Sequence, residues 1–278
     1  MELNWIQSIV CGLVSGLADI LPVSGHAHRI ILMNLFGLSD EPALMRLFIH
    51  IGTLAGLYYS CQNQLIRMVR AIKLARIPKR RRKRPLDTMS LMDVRSLEMM
   101  LIPMVPALIF AGRAYTLAQQ LVYVAVFLFL NGLILYVPRY LPGSDKDARG
   151  LSRMESIFMG LGGAASVLPG ISTTGTVRSV ATVCGANKQY ALNIALLAAL
   201  PMFLGLVITD IVVLFSGGAA GISFLVVLEY IVSGIAAFGG ALLGVKLLKL
   251  INESLSPDVF TFYNWGAALF AFILFLNI

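Results

Sequence analysis

Residues 121 to 137, LVYVAVFLFLNGLILYV, carry no charged side chain and a single amide, Asn131. No feature constrains a fold more than a stretch of this kind, because about 20 apolar residues in a helix match the hydrocarbon thickness of a bilayer. Five more runs follow the same rule: Leu44 to Tyr59, Leu97 to Ala114 through Pro103 and Pro106, Tyr190 to Phe215 through Pro201, Ile222 to Leu243, and Val259 to Phe275. Charged residues make up only 13% of the chain and hydrophobic ones 58%. A soluble domain carries roughly 25% charge. The chain therefore reads as an all-α integral membrane protein. Its opening residues, MELNW, lack the positive region of a cleavable signal, so none is expected.

The net charge of +8 is concentrated, since ten of the 22 Lys and Arg residues fall between Arg67 and Arg84. In a soluble chain such a run would suggest nucleic acid. Between apolar spans it marks the cytoplasmic side, so residues 62–90 are expected to form a cytoplasmic basic loop that can rest on anionic headgroups, with no nucleic-acid partner. The basic 139–153 loop lies two crossings later and is also inside. Lys188, Lys246 and Lys249 agree, which puts the C-terminus outside. The three cysteines, Cys11, Cys61 and Cys184, match no metal spacing and read as packing residues.

Two apolar regions, residues 4–37 and 154–186, are broken in the middle by Pro, Gly and hydroxyl residues. They resemble each other: SIVCGLVSGLADILP at 8–22 and SIFMGLGGAASVLP at 156–169 share G-x-A-x-x-L-P. Three crossings separate the copies, an odd number, which inverts the second. Inverted repeats with broken helices bring their irregular backbone together near mid-membrane, around a binding site. The expectation is one membrane domain, 1–278, of six transmembrane helices plus two inverted re-entrant hairpins, with repeat one at 1–138 and repeat two at 154–278.

The first tip offers Ser15, Asp19, Ser24, His26, His28 and Arg29, and the second offers Gly170, Ser172, Thr173, Thr174, Gly175 and Arg178. Ionisable groups at this depth point to function. A Pro-Gly turn, hydroxyls and a helix start suit a phosphate, although the same hydroxyls can simply cap broken helix ends. His50 fits a ligand or a satisfied core histidine. Glu229 fits a residue reaching the interface or an arginine partner.

Together GLVSGLADILPVSGHAH, FIHIGTLAGL and LPGISTTG resemble the undecaprenyl-pyrophosphate phosphatase family, the bacitracin-resistance integral membrane proteins. The resemblance runs on through ALPMFLG at 199–205 and IAAFGGALLGVKLL at 235–248 to Tyr263. It implies hydrolysis of a polyprenyl pyrophosphate carrier of cell-wall synthesis at the bacterial cytoplasmic membrane. Polyprenyl (pyro)phosphate and membrane lipids would be the partners, a homodimer stays open, and a divalent cation, Mg or Ca, would be held by carboxylates. His28 would be base or nucleophile, with Asp19 orienting it or holding the metal and Ser24 beside them. Gly170, Ser172, Thr173, Thr174, Arg29 and Arg178 would bind phosphate. Several positions depart from the family pattern: Ser15 and Asp19 stand for Glu, Gly25 for the second Ser, Thr173 and Asn264 for Arg, and Asn193 for Glu. These losses leave a rival expectation open, a non-hydrolytic transporter or binder of polyprenyl phosphate or another anionic lipid.

Overall fold

The computed structural model describes residues 3–38, 41–118, 120–141, 145–217, 223–254 and 258–277. Its elements are α1 (Trp5–Ile20), α2 (Gly25–Leu35), α3 (Ala43–Ala75), α4 (Thr88–Leu108), α5 (Ala111–Ala118), α6 (Leu121–Tyr136), α7 (Arg153–Ala165), α8 (Thr173–Val183), α9 (Lys188–Gly217), α10 (Phe224–Ser254) and α11 (Asp258–Asn277). Among the described residues there is no strand, only an isolated bridge between Lys146 and Ala186.

Four stretches are long and apolar enough to cross a membrane: Leu121–Tyr140, Lys188–Ser216, Phe224–Ser254 and Asp258–Asn277. A fifth candidate is the pair α4 and α5, bent by 56°. Pro103 and Pro106 lie inside α4, where each removes a backbone donor, and the helix stops two residues after the second. The expected run Leu44 to Tyr59 falls within α3, which has 33 residues and so extends about 50 Å. It is not among the apolar spans. Arg46, His50 and Thr53 dilute its hydropathy, and all three are buried against protein. Ile222, the expected start of the fifth run, lies outside the described residues.

Neither broken region is continuous. The first breaks between α1 and α2, and the second between α7 and α8. Both open with a capping box, Asn4 with Gln7 and Ser152 with Glu155, so each helix start is closed by its own side chains. Small residues then set the packing. α1 lies on α10 through Gly12 and Gly16, where a Cβ would overlap the backbone of Ser233 and Ala237. α7 lies on α4 in the same way, with Gly160 against Met100. Such close backbone approach is how helices associate where water supplies no drive. α6 packs on α11, and α3 on both α10 and α9.

Candidate active site

The two breaks meet. A helix end leaves carbonyls without partners, and in a dry interior each must find a donor. The end of α1 finds its donors on the second tip. Thr174 Oγ1 donates to the Ile20 carbonyl at 2.8 Å, and Ser172 Oγ donates to that of Leu21 at 3.1 Å. The Pro22 carbonyl accepts from Asn131 on α6 at 3.1 Å and from Asn264 on α11 at 2.8 Å. In return Ser24 Oγ accepts the Gly170 N–H at 3.2 Å. The backbone is forced at both ends of this last bond. Ser24 has φ 63°, the only positive value at a non-glycine among the described residues, and Gly170 has φ 113°. Positive φ costs a residue with a Cβ about 1–3 kcal/mol and clusters at functional sites.

Beside this junction lies a cavity of about 30 Å³, walled by Asp19, Ser24, Gly25, His26, His50 and Tyr115 on one side and by Ser166, Ser172 and Thr173 on the other. On this measure it holds roughly two waters. No lysine or arginine lines it. Tyr115 also lines a second cavity, of about 200 Å³, next to Glu41 and Arg46. Gly25 is required by the cavity wall, since a Cβ there would overlap the Asp19 carboxylate and come 2.6 Å from the Ser15 carbonyl oxygen.

Behind the wall is a charged cluster. Arg29 on α2 pairs with Glu41. Arg46 on α3 donates to Asp210 on α9 at 2.7 Å and has Glu41 at 3.5 Å. His50 Nδ1 meets the other Asp210 oxygen at 2.6 Å, and Asp19 accepts from Thr53 at 3.2 Å. The Arg46 guanidinium lies 3.7 Å over the Tyr115 ring. Arg29 and Asp210 are fully buried, so each charge needs its partner. Sequence reasoning missed Glu41, Arg46, Tyr115 and Asp210. Two signals were available. Arg46, His50 and Thr53 follow i, i+4, i+7 spacing on one helix face, and Asp210 is the lone acid in an apolar run, which is a functional flag in itself.

The expected site residues divide. Asp19, Ser24, Ser172 and Thr173 line the cavity. His28 does not. Two residues from His26 on a helix, it points to the opposite face, where it stacks on Tyr263 and bonds its hydroxyl at 2.7 Å. Its other nitrogen meets the Ser24 carbonyl at 2.8 Å. Thr174 and Gly170 are taken up in joining the tips. Arg178 turns away and donates to Asn252 on α10 at 2.6 Å, and Arg29 sits behind the wall, its charge met by Glu41. Glu229 is half-buried and forms no ion pair among the described residues. Among those residues no three His, Cys, Asp or Glu side chains are grouped to hold a metal.

The family model of the bacitracin resistance protein BacA matches residues 8–270. The chain belongs to that family. A relative from Methanobrevibacter smithii, an undecaprenyl-diphosphatase by name, is 31% identical over 96% of each chain. Another undecaprenyl-diphosphatase, from Carboxydothermus hydrogenoformans, is 24% identical over 95% of this chain and 94% of its own, and one from Nocardioides is 28% identical over 73% of each. With its long apolar helices, this BacA-family chain is a multi-pass membrane protein.

Proposed function

We propose that this protein hydrolyses the terminal phosphate of a polyprenyl diphosphate carrier in the bacterial cytoplasmic membrane, releasing phosphate and the polyprenyl monophosphate. The observation that carries the reading is the convergence of Asp19, Ser24 and Thr173, from both broken segments, on one buried polar cavity in a BacA-family chain. The matched packing of α1 on α10 and α7 on α4 supports the inverted repeat, 1–138 and 154–278, with six crossings once α3 and the bent α4–α5 pair are counted. The basic segment 62–90, which is not a loop throughout but helical to Ala75 as the end of α3 and again from Thr88 in α4, then faces the cytoplasm.

The chemistry follows from what the wall offers. A diphosphate brings several negative charges to a cavity lined by no cation, so side chains alone leave it unbalanced. A divalent cation would need one carboxylate from the wall, the fewest protein ligands magnesium commonly takes. Asp19 would hold it, and the ion would supply the neutralising charge. The Thr173 hydroxyl, which donates to Ser166 Oγ at 2.7 Å, can turn to phosphate oxygens beside the first amides of α8, those ahead of Gly175, whose own N–H is capped by Ser172. Ser24, in its strained turn, orients the group against them. His28 braces the turn through the Ser24 carbonyl. Tyr115, shared with the larger cavity, is the side chain whose rotation would join the two and widen the way in for a lipid headgroup.

The test is phosphate release by the purified protein from C55 diphosphate, with and without magnesium. Release that depends on Asp19 is the expected result. Tight lipid binding or transfer between leaflets with no release would establish the carrier instead, as the glycine at position 25 would suggest.

A further inference from the structure

The position that aligns with the family's second Ser is Gly25, and no hydroxyl can be placed there without displacing Asp19. A water molecule can take the place of that missing hydroxyl as nucleophile. The cavity has room for water, and one of its walls is His50. Nδ1 of that ring faces Asp210 Oδ2 at 2.6 Å. Asp210 is fully buried, and Arg46 on its other oxygen, 2.7 Å away, supports the ionised form. A carboxylate only accepts, so Nδ1 carries a proton, and in the neutral tautomer this arrangement leaves Nε2 with its lone pair. Among the described residues the hydrogen-bond contact of Nε2 is Arg29 Nη2 at 3.5 Å, at the outer limit of a hydrogen bond. A base held by a buried acid in the right tautomer is the arrangement by which a histidine activates a weak nucleophile.

Resting on the phosphatase reading, we infer that His50 is the general base of the reaction, with Asp210 as its positioning residue. Nε2 takes a proton from water. The water oxygen bonds to the terminal phosphorus, the bond from that phosphorus to the bridging oxygen breaks, and its electron pair leaves on the lipid monophosphate. The proton held on Nε2 passes to that product.

The experiment measures turnover and lipid affinity separately, on purified protein with C55 diphosphate and magnesium. His50→Ala should lower kcat by about 100-fold or more with KM within about threefold, and added imidazole should restore at least a tenfold share. Asp210→Asn should also act on kcat, and should add little on top of His50→Ala. If buried charge left unpaired prevents folding, His50→Gln, whose amide can still donate to Asp210, replaces the alanine variant with the same expected loss. A folded His50 variant within threefold of wild-type kcat, or in the alanine variant a loss that imidazole does not relieve, overturns the assignment and leaves the phosphatase reading standing. Absence of release by the wild-type protein overturns both.

Discussion

The two broken segments do unequal work at one junction. At aligned positions the first places Asp19 and the second Ser166, and both line the cavity. The first tip brings charge and a strained serine. The second turns its one charge, Arg178, away to Asn252 and gives Ser172 and Thr174 to the carbonyl ends of α1. The first tip brings the carboxylate to the cavity wall, and the second, besides its own wall residues, makes the irregular backbone of the first tolerable in a dry interior.

The largest expected effect breaks that asymmetry directly. Asp19→Asn should lower phosphate release by about 100-fold or more, whereas Ser166→Ala should cost less than about tenfold, ~1.4 kcal/mol of barrier. Equal losses would mean the tips share the chemistry. The two histidines of α2 sharpen the point. His26→Ala, on the cavity side, should reduce release by at least about tenfold, while His28→Phe, which keeps the Tyr263 stack, should stay within tenfold; the reverse order would move the reacting centre to the α11 face.

A smaller effect belongs to the second tip. Thr174→Val leaves the Ile20 carbonyl without its donor and should destabilise the protein by about 1–3 kcal/mol, read as a lower melting temperature in detergent. Turnover per folded molecule should hardly change. Gly25→Ser, the apparent restoration of the family's second Ser, should destabilise by a similar ~1–3 kcal/mol through overpacking and should not raise kcat. A gain in turnover would show that the wall has slack. The weakest test concerns the matched helix starts: Asn4→Ala and Ser152→Ala should each cost about 1 kcal/mol, so unequal shifts would mean that only one segment is held by its cap.

Much of the architecture is legible without coordinates. Apolar runs near 20 residues locate α6, α9, α10 and α11, and the Pro, Gly and hydroxyl interruptions locate both breaks, because helix periodicity and breakers are local properties. α3 escapes as an apolar span because its polar residues serve a cluster built with α2 and α9. For the site, the sequence names Asp19, Ser24, Ser172 and Thr173, yet its first choice of base, His28, faces Tyr263. The G-H-A-H spacing shows that the two histidines lie on opposite helix faces. It contains nothing to say which face meets the second tip.

The sequence by itself determined the class of this protein, its broken segments and the residue types gathered at them, since hydrophobic length and backbone permissiveness act over a few residues. Only the tertiary structure decided which groups meet. Asp210 lies 160 residues from His50 and Thr174 lies 154 from Ile20, separations that no local rule spans. Each pairing is imposed by the same physical demand: a buried charge or a bare carbonyl must find its partner wherever the packed helices place one.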